Sequence, residues 1–297
     1  MVRPVCQKLA RHADVLVRAM PRCAARKDRV RNDERRAVSK VFITGSSDGL
    51  GLMAAKRLIA AGHEVVLHAR NPKRARDAQT AASKAHGVVV GDLASIVETR
   101  GLADQANRLG PFDAVIHNAG VGDRERRIET VDGLEHIFAI NVLAPYLLTA
   151  LISQPKRLIY LSSGMHRGGD PDLTDLQWKR RRWNGSQAYS DSKLFDAVLA
   201  LALAQRWPAV RSNAVDPGWV ATKMGGRGAP DDLELGSETQ AWLAVSQDSA
   251  AIVSGAYFFH KRRQDIHPAA RDVTIQDGLL AACEELTGTP IPPPAAA

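Results

Sequence analysis

The chain has 297 residues, 45% of them hydrophobic, and a formal net charge of +8. This length allows one large domain with a substantial core, and no apolar run is long enough to cross a bilayer, so we expect a soluble globular protein without a membrane span. The charge is concentrated in residues 1–38, which hold 11 Lys or Arg and 4 Asp or Glu, whereas the remainder holds 29 and 28. The globular part is therefore close to neutral, and no nucleic-acid partner is expected.

Residues 1–38 are predicted to be a basic, disordered N-terminal arm, with Met20 as an alternative start. The Arg- and Ala-rich composition is also typical of a mitochondrial transit peptide, but the four acidic residues oppose that interpretation. A phosphate-binding arm is a further alternative, although the segment has no aromatic residues. We predict a cytoplasmic protein, with mitochondrial import as the alternative.

The three cysteines, Cys6, Cys23 and Cys283, are widely spaced. An odd number without a pairing pattern is typical of a reducing compartment, and no metal-ligand spacing accompanies them. His63 and His68 do not change this, because the run EVVLH is predicted to be a strand rather than a zinc-binding helix. No metal site is expected.

The first predicted strand, residues 40–44, leads into a glycine-rich turn and then into the helical pattern LGLMAAKRLIAAG. A helix N-terminus offers free N–H groups and the positive end of the helix dipole, which favour a phosphate, and glycines let the backbone approach a pyrophosphate closely. A turn built only for tightness is the alternative, but its place between strand and helix favours dinucleotide binding. The turn residues expected at the cofactor are Thr44, Gly45, Ser47, Gly49, Leu50 and Gly51.

The second predicted strand, residues 64–68, leads into the basic stretch HARNPKRAR. At this position a carboxylate is expected for a free ribose 2′-hydroxyl and a cation for a 2′-phosphate. Arg70, with Lys73 and Arg74 nearby, therefore favours NADP(H) over NAD(H). A solvated basic loop is the alternative.

Five further strands are predicted at 87–91, 112–117, 157–162, 211–215 and 256–259. Several are apolar at consecutive positions, which is typical of strands buried on both faces, and helical patterns separate them. This alternation predicts a single, doubly wound α/β domain over residues 39–288, with helices on both faces of a parallel sheet. Residues 289–297, rich in Pro and Ala, are predicted to be a mobile tail.

Tyr189 and Lys193 stand four residues apart at the start of a helical pattern, so they share one face. They follow Ser162 and Ser163 at the end of the fifth predicted strand, and strand C-termini line the ligand crevice of an open α/β sheet. Ketone reduction needs a proton donor for the oxygen, and a phenol with its ordinary pKa of about 10 is a poor one near neutral pH. A neighbouring ammonium lowers that pKa, so we predict that Lys193 activates Tyr189 as the acid/base.

With the spacing TGxxxGxG at residues 44–51, these motifs resemble the short-chain dehydrogenase/reductase family, and the resemblance spans residues 40–288. The 25 residues between Ser163 and Tyr189 are similar to the longer form found in its retinol-dehydrogenase-like and ketoreductase-like branches. The resemblance implies a Rossmann-type fold with about seven parallel strands, and relatives commonly form dimers or tetramers. Asp48 departs from the family, because NADP-preferring relatives often have a base there.

The resemblance also implies roles for individual residues. Asn141, Ser163, Tyr189 and Lys193 would form the catalytic set, in which Ser163 polarises the carbonyl oxygen and Lys193 also binds the nicotinamide ribose. Ser162 is the alternative to Ser163, and a buried structural role is the alternative for Asn141. Besides Tyr189 and Lys193, further cofactor contacts are implied at Asp92, Leu93, Asn118, Ala119, Gly120, Pro217, Gly218, Val220 and Thr222.

Pro145 lies four residues after Asn141 in the same helical pattern. Because proline has no N–H, the Asn141 carbonyl loses its usual helical partner, and the helix is predicted to kink there. We expect this carbonyl to bind a water that leads to Lys193.

Two loops flank the predicted site. Residues 164–188 contain the charge run KRRR with Trp178 and Trp183, which we interpret as solvated arginines beside tucked indoles rather than as a nucleic-acid surface. Residues 224–237 are glycine-rich and polar, which is typical of a mobile lid over a substrate.

The sequence therefore predicts an NADP(H)-dependent oxidoreductase that transfers a hydride between nicotinamide and an apolar ketone, aldehyde or secondary alcohol. An NADP(H)-binding sensor without turnover is the alternative, and it is disfavoured because a sensor needs no acid/base pair. An epimerase or dehydratase acting on a nucleotide sugar is also disfavoured, since such enzymes usually need a larger substrate domain. The expected partners are a small-molecule carbonyl or alcohol and, as a possibility, further copies of the chain in a dimer or tetramer.

Overall fold

The computed structural model describes residues 37–123 and 126–295. The predicted N-terminal arm, apart from its last two residues, lies outside the described residues, as do Cys6 and Cys23. Every strand and helix of the described residues falls between Lys40 and Thr287, within the predicted domain 39–288.

The described residues form one sheet of eight strands in the order β3-β2-β1-β4-β5-β6-β7-β8. The strands are β1 (Lys40–Ile43), β2 (Glu64–Ala69), β3 (Gly87–Val90), β4 (Ala114–His117), β5 (Arg157–Leu161), β6 (Arg211–Asp216), β7 (Tyr257–Phe259) and β8 (Arg262–Gln264). The seven predicted strands pair in parallel, which confirms that prediction. The eighth is an antiparallel edge strand that the sequence did not predict, because its residues, RRQ, are polar and exposed.

The helices that separate the strands are α1 (Gly49–Ala60), α2 (Pro72–Ala81), α3 (Ile96–Leu109), α4 (His136–Phe138), α5 (Ala144–Leu151), α6 (Gly185–Arg206), α7 (Leu233–Val245) and α8 (Val273–Thr287). Asp and Asn side chains begin several of them: Asn71, Asn184, Asp232 and Asp272 each accept a first-turn N–H. None of the helices in the described residues is long and apolar enough to cross a membrane.

Helices cover both faces of the sheet, as predicted. Val41 and Ile43 of β1 belong to the core cluster that includes α1 and α7, whereas Phe42 between them belongs to the cluster that includes α3, α5, α6 and α8. Successive side chains of a strand point to opposite faces, so strands with apolar residues at consecutive positions need a helical layer on each side. Helix α6 is buried on nearly all sides from Ser190 to Leu203.

The strand order reverses direction between β1 and β4, which are neighbours although β2 and β3 lie between them in the chain. Ile43 near the end of β1 pairs with Ile116 near the end of β4. In an open α/β sheet, the loops that leave two such strands diverge and form a crevice at their C-terminal ends. The glycine turn after β1 and the segment after β4 therefore face each other.

The segment after α8 makes hydrogen bonds with the domain. Tyr146 Oη donates to the carbonyl of Thr289 at 2.7 Å, and Trp207 Nε1 donates to the carbonyl of Pro292 at 2.9 Å. These contacts anchor residues 289–292 to α5 and to the end of α6. The mobility predicted for the tail, residues 289–297, stays a prediction.

Candidate active site

The three glycines after β1 are needed for two different structural reasons. A Cβ on Gly45 would lie 2.7 Å from Ala119 Cα, and one on Gly51 would lie 2.6 Å from the Gly45 carbonyl oxygen. Close packing of the turn therefore explains both. Gly49 has a φ of +54° but would bring its Cβ within 4 Å of nothing, so it presents bare backbone to open space. This exposed stretch is where a ligand can approach the turn most closely.

The N-terminus of α1 opens into the same space. Asp48 occupies the capping position, yet its side chain makes no capping hydrogen bond. Instead, its carboxylate accepts hydrogen bonds from Lys223 at 2.7 Å and pairs with Arg74 at 2.5 Å. The first-turn N–H groups of this twelve-residue helix are thus uncapped by a side chain, and an anion is favoured there.

The ends of β1 and β4 are joined by side-chain hydrogen bonds. Thr44 Oγ1 accepts the N–H groups of Asn118 and Ala119 at 2.9 and 3.0 Å. Asn118 Nδ2 donates to the carbonyls of Thr44 and Gly45 at 2.9 and 3.1 Å. Thr44 and Gly51 thus fix the shape of the crevice from behind, and Asn118 both lines the cavity and holds the turn, where the sequence implied only contacts with a cofactor.

His68 at the end of β2 fixes the turn from the other side. Its Nδ1 accepts the N–H of Gly45 at 2.9 Å, which leaves Nε2 to donate to the carbonyl of Gly91 at 2.9 Å. Burial lowers the pKa of His68, in keeping with a neutral ring. Sequence reasoning considered His68 only as a metal ligand and missed this bridging role. No group of three or more His, Cys, Asp and Glu that could hold a metal occurs among the residues described.

Two arginines lie at the end of the crevice next to β2. Arg70 is exposed and lines the cavity without an ion pair in the structure. Arg74, in the first turn of α2, also donates to Ser47 Oγ at 3.1 Å, so it reaches the glycine turn directly. Partial burial alone would raise the pKa of Asp48, but hydrogen bonds from Lys223 and Arg74 hold it below its ordinary value. Lys73 instead points outward to Asp77.

One cavity of about 780 Å³ connects the glycine turn with Tyr189 and Lys193. The predicted residues that line it are Gly45, Ser47, Gly49, Leu50, Arg70, Asp92, Leu93, Asn118, Ala119, Gly120, Tyr189, Lys193, Pro217 and Thr222. Thr44, Gly51, Asn141, Ser163, Gly218 and Val220 lie outside the cavity lining. Of these, Val220 is buried, and Gly218, with a φ of +83°, packs against Asp231. The volume is typical of a small-molecule or cofactor site.

Tyr189 and Lys193 lie on consecutive turns of α6, whose first residues are held by the Asn184 cap. The Lys193 ammonium donates to the carbonyl of Leu161 at 2.9 Å and to Asp196 Oδ2 at 2.7 Å. Its nitrogen lies 5.7 Å from the centre of the Tyr189 ring. The sequence did not predict Asp196, because its spacing of three residues from Lys193 reveals neither its burial nor its direction.

The ionisation of this group differs from the sequence prediction. Burial raises the pKa of Tyr189, and the opposing effects of Lys193 and of a hydrogen bond from Ser163 do not overcome it. Burial alone would lower the pKa of Lys193, but the Asp196 carboxylate raises it and keeps the ammonium charged. Burial also raises the pKa of Asp196 to about 7 against the effect of Lys193. The lowering effect predicted for Lys193 is therefore present, but burial outweighs it and the net pKa of Tyr189 is raised.

The two serines after β5 have separate environments. Ser162 is buried, and its hydroxyl donates to the carbonyl of Lys193 at 2.7 Å, although the residue lines part of the cavity. Ser163 is half-buried and hydrogen bonds to the Tyr189 side chain. Tyr257 Oη holds the Ser163 carbonyl at 2.9 Å. The hydroxyl that contacts Tyr189 thus belongs to Ser163 rather than to Ser162.

The helix that contains Asn141 is interrupted, as predicted from Pro145. A π-helical turn, Ala139–Leu143, separates α4 from α5, and the N–H of Ala144 donates to the carbonyl of Ala139 five residues back. The Asn141 side chain is buried and accepts the Val121 N–H at 2.8 Å while donating to Ser192 Oγ at 2.9 Å.

Gly120 separates Asn141 from Lys193, since a Cβ there would lie 3.3 Å from Asn141 Oδ1 and 3.5 Å from Lys193 Nζ. The two polar groups therefore flank the same glycine. The proton path through the Asn141 carbonyl stays a prediction.

The loop of residues 164–188 makes more side-chain contacts with the domain and within itself than the sequence suggested. Trp178 is buried against Ile137, and Trp183 meets it edge to face at 5.4 Å, so the indoles are tucked as predicted. Arg181, however, is only 27% exposed: it lies 3.9 Å over the Trp178 ring and pairs with Asp191. The last four residues of this stretch form the first turn of α6.

The predicted lid also ends in a helix. Residues 233–237 are the first turn of α7, capped by Asp232, so the irregular part is shorter than the predicted 224–237. Lys223, just before it, ties this segment to Asp48. Met224 is 42% exposed and packs against Gly122 in the loop after β4.

Comparisons with known proteins agree with this arrangement. Residues 45–263 match the family model described as enoyl-(acyl carrier protein) reductase. The chain is 45% identical to an uncharacterized oxidoreductase of Emericella nidulans over 85% of this chain and 98% of that protein, and 41% identical to the short-chain dehydrogenase chyC of Penicillium rubens over 86% and 100%. It is 30% identical to human retinol dehydrogenase 13 over 85% of each chain.

Among solved structures, an uncharacterized protein from Mycobacterium paratuberculosis is 29% identical. It superposes with a TM-score of 0.72 over 86% of this chain and 95% of that chain.

Proposed function

Because the chain belongs to the short-chain dehydrogenase/reductase family, an oxidoreductase family, we propose that it transfers a hydride between NADP(H) and an apolar ketone, aldehyde or secondary alcohol. The observation that carries this proposal is the single cavity that connects the open backbone at Gly49 with Tyr189 and Lys193. A dinucleotide and a reacting carbonyl would share one continuous cleft there. The likeness to retinol dehydrogenase 13 agrees with the expected branch of the family.

The residues present fit a dinucleotide. The uncapped N-terminus of α1 and the bare backbone of Gly49 would hold the pyrophosphate. Asp92 and Leu93, at the end of β3, line the cavity where an adenine would lie. Asn118, Ala119 and Gly120 line its middle, and Lys193 lies at the end where the nicotinamide ribose would be held.

The choice of NADP(H) over NAD(H) is supported by the side chains that follow β2. Arg70 and Arg74 line the cavity at the position where a 2′-phosphate would be recognised, and Ser47 adds a hydroxyl. A carboxylate that would bind a 2′-hydroxyl does not follow β2 directly in this chain. Asp48 already pairs with Arg74, so a 2′-phosphate would have to compete with it.

The proposed chemistry assigns proton transfer to Tyr189. When bound, NADP(H) supplies or accepts the hydride at its nicotinamide ring. Tyr189 donates its hydroxyl proton to the substrate oxygen during reduction and takes it back during oxidation. Ser163, which hydrogen bonds to Tyr189, holds the substrate oxygen next to the donor. Lys193 stabilises the phenolate with its charge.

The proposed substrate is apolar because the cavity wall near these groups is apolar. Val121, Ile140 and Met224 line the cavity, and Met224 packs on the loop that follows Gly120. Trp219, 57% exposed, belongs to the same segment as Met224. Such side chains favour a hydrocarbon body attached to a single polar carbonyl or hydroxyl group.

The proposal is tested by titrating NADPH and NADH separately into the purified full-length chain, and then adding a panel of apolar ketones and aldehydes. Binding is followed by nicotinamide fluorescence and turnover by the absorbance of the reduced nicotinamide. Preferential NADPH binding with oxidation by at least one carbonyl is expected. Binding without turnover across a broad panel would support a sensor instead, and absence of binding by either cofactor would contradict the proposal.

A further inference from the structure

Lys193 has a carboxylate partner that its proposed role does not require. The ammonium and the Asp196 carboxylate are 2.7 Å apart, and the two side chains are only 6% and 3% exposed. Both residues lie on α6 at a spacing of three, so the helix itself holds them together. The second acceptor of the ammonium, the carbonyl of Leu161, belongs to β5 in the sheet. The pair is therefore a fixed part of the site.

A carboxylate this close changes what Lys193 does to its surroundings. In a buried site, opposite charges in contact offset one another, and a group a few ångströms away experiences a dipole rather than a full positive charge. Tyr189 is such a group, with its ring centre 5.7 Å from the ammonium nitrogen. Burial raises the pKa of Tyr189, Lys193 opposes that rise, and Asp196 adds to it.

The other ionisable groups around the pair do not cancel this effect. Asp123, in the loop after β4, also raises the pKa of Tyr189, while Ser163 lowers it through a hydrogen bond. On β5, Tyr160 is close enough to Asp196 for the carboxylate to raise the pKa of that phenol as well. Among the residues that the structure describes, the charge that acts on Asp196 is that of Lys193.

We propose that Asp196 is a positioning residue that partly neutralises Lys193, keeps the Tyr189 hydroxyl in its proton-donating form at neutral and mildly alkaline pH, and so adapts the site to carbonyl reduction. The inference rests on the proposed function. In that direction the Tyr189 O–H bond breaks and a new O–H bond forms on the substrate, while hydride from the reduced cofactor adds to the carbonyl carbon. The phenolate then recovers a proton from solvent.

The pH range in which Asp196 acts follows from its own ionisation. Burial raises the pKa of Asp196 to about 7, so the carboxylate is charged throughout the alkaline range in which a phenol titrates. The carboxylate therefore opposes phenolate formation in the range in which Tyr189 would otherwise lose its proton.

The phenol itself is the readout, because the chain has only four tyrosines. Burial raises the pKa values of all four, Tyr146, Tyr160, Tyr189 and Tyr257, so the tyrosinate step of Tyr189 has to be assigned by difference. The step that is lost in Tyr189→Phe belongs to Tyr189. The measurement uses the full chain and needs neither cofactor nor substrate, so its result is independent of whether the proposed reaction is correct.

The decisive variant is Asp196→Asn, which removes the charge but keeps an oxygen that can accept from Lys193. We expect the Tyr189 tyrosinate midpoint to fall by about one pH unit, because an uncompensated ammonium favours the phenolate. The alkaline limb of carbonyl reduction should move down by the same amount. An unchanged midpoint would overturn the proposal. A midpoint that rises would also overturn it, since Asp196 would then serve mainly to keep Lys193 charged.

Two further variants make the test independent of a folding defect. Asp191→Asn removes another buried carboxylate of α6 that pairs with Arg181, and it should leave the midpoint where it is. The double variant Lys193→Met/Asp196→Asn has no stranded charge. If the charges of the native Lys193–Asp196 pair nearly cancel at Tyr189, the Tyr189 midpoint of the double variant stays within about half a pH unit of the native value. A rise of about one unit or more would mean that Lys193 acts with its full charge, and would overturn the proposal.

Discussion

Two carboxylates pair with cations along the same cavity, and their surroundings differ. Asp48 is half-exposed at the glycine turn and pairs with Arg74 and Lys223, whose side chains are 25% and 82% exposed. Asp196 is buried below Tyr189 and pairs with Lys193, and both are nearly inaccessible. Screening by water makes an exposed ion pair weak and easily opened. Burial makes the other pair costly to break and strong in its effect on neighbours.

This difference in exposure suits the two ion pairs to different roles. The Asp48 group lies where a phosphate is expected, so its cations can exchange one anion for another at little cost. The Asp196 group is almost closed to solvent and is held by α6, so it does not exchange partners readily and instead sets the electrostatics of Tyr189. The predictions below break one pair at a time, beginning with the largest expected effect.

Removing the cation of the buried pair should cause the greatest loss of stability. Lys193→Met strands the Asp196 carboxylate, and we expect the free energy of unfolding to fall by about 3–5 kcal/mol. Lys223→Met on the exposed side should cost at most about 1 kcal/mol. Chemical denaturation of the two variants measures both values, and the double variant Lys193→Met/Asp196→Asn should recover most of the loss. Equal losses in the two single variants would contradict the comparison.

The same variant has a pH dependence of known sign. Burial holds the pKa of Asp196 above its unfolded value, so the folded state keeps a proton that the unfolded chain releases. Such a group stabilises the fold less as the pH rises through the interval between the two pKa values. Because Lys193 lowers the pKa of Asp196 in the native chain, its removal raises that pKa beyond about 7, and the stability deficit of Lys193→Met should be larger at about pH 8 than at about pH 5. A stability deficit that becomes smaller as the pH rises would mean that the Asp196 carboxylate does not cause it.

Removing the proposed proton donor should have the largest effect on turnover. Tyr189→Phe deletes one hydroxyl and should lower the rate of carbonyl reduction by at least ~10²-fold, with little change in the Kd for NADPH. Tyr257→Phe is the matched control, because the Tyr257 hydroxyl hydrogen bonds to the Ser163 carbonyl and to Ser162 but does not line the cavity. If the two variants lost similar activity, Tyr189 would not be the acid/base.

Much of this arrangement could be predicted from the sequence, for physical reasons that apply to particular segments. Parallel strands buried on both faces show apolar residues at consecutive positions, and this pattern identified several of the strands β1 to β7. The glycine turn was recognised because its residues lie between a strand and a helix. The break at Pro145 followed from a missing N–H, and the structure has a π-helical turn there.

The features that could not be predicted depend on contacts between residues far apart in the sequence, or on burial. Lys223 reaches Asp48 from 175 residues away, so no local pattern could reveal that pair. Asp196 was overlooked because a carboxylate three residues from a lysine is common on exposed helix faces, and the sequence does not show that α6 is covered on all sides. The net pKa shift of Tyr189 could not be predicted for the same reason, since burial outweighs the lowering effect of Lys193.

The cations at the glycine turn should control the choice of cofactor. Arg74→Gln removes a guanidinium that would pair with a 2′-phosphate, and we expect NADPH to bind about tenfold more weakly while the affinity for NADH is unchanged. Arg70→Asp should shift preference from NADPH toward NADH. Lys73→Gln is the matched control, because Lys73 points outward to Asp77 and should have no effect on either cofactor. Fluorescence titration measures all three, and equal weakening of both cofactors would indicate a general rather than a 2′-phosphate contact.

The smallest expected effect comes from removing the exposed carboxylate itself. Asp48→Asn frees Arg74 and Lys223, so NADPH should bind several-fold more tightly and unfolding free energy should change by no more than about 1 kcal/mol. The gain should diminish with added salt, because it depends on charges open to solvent. Asp77→Asn, which removes a carboxylate on the outer side of Arg74, is the control and should change NADPH affinity less. Weaker NADPH binding in Asp48→Asn would mean that Asp48 holds Arg74 in place for the phosphate instead of competing with it. The exposed Asp48 pair would then be a fixed part of the site, as the buried Asp196 pair is. The exposure of an ion pair would not by itself show whether its partners can be exchanged.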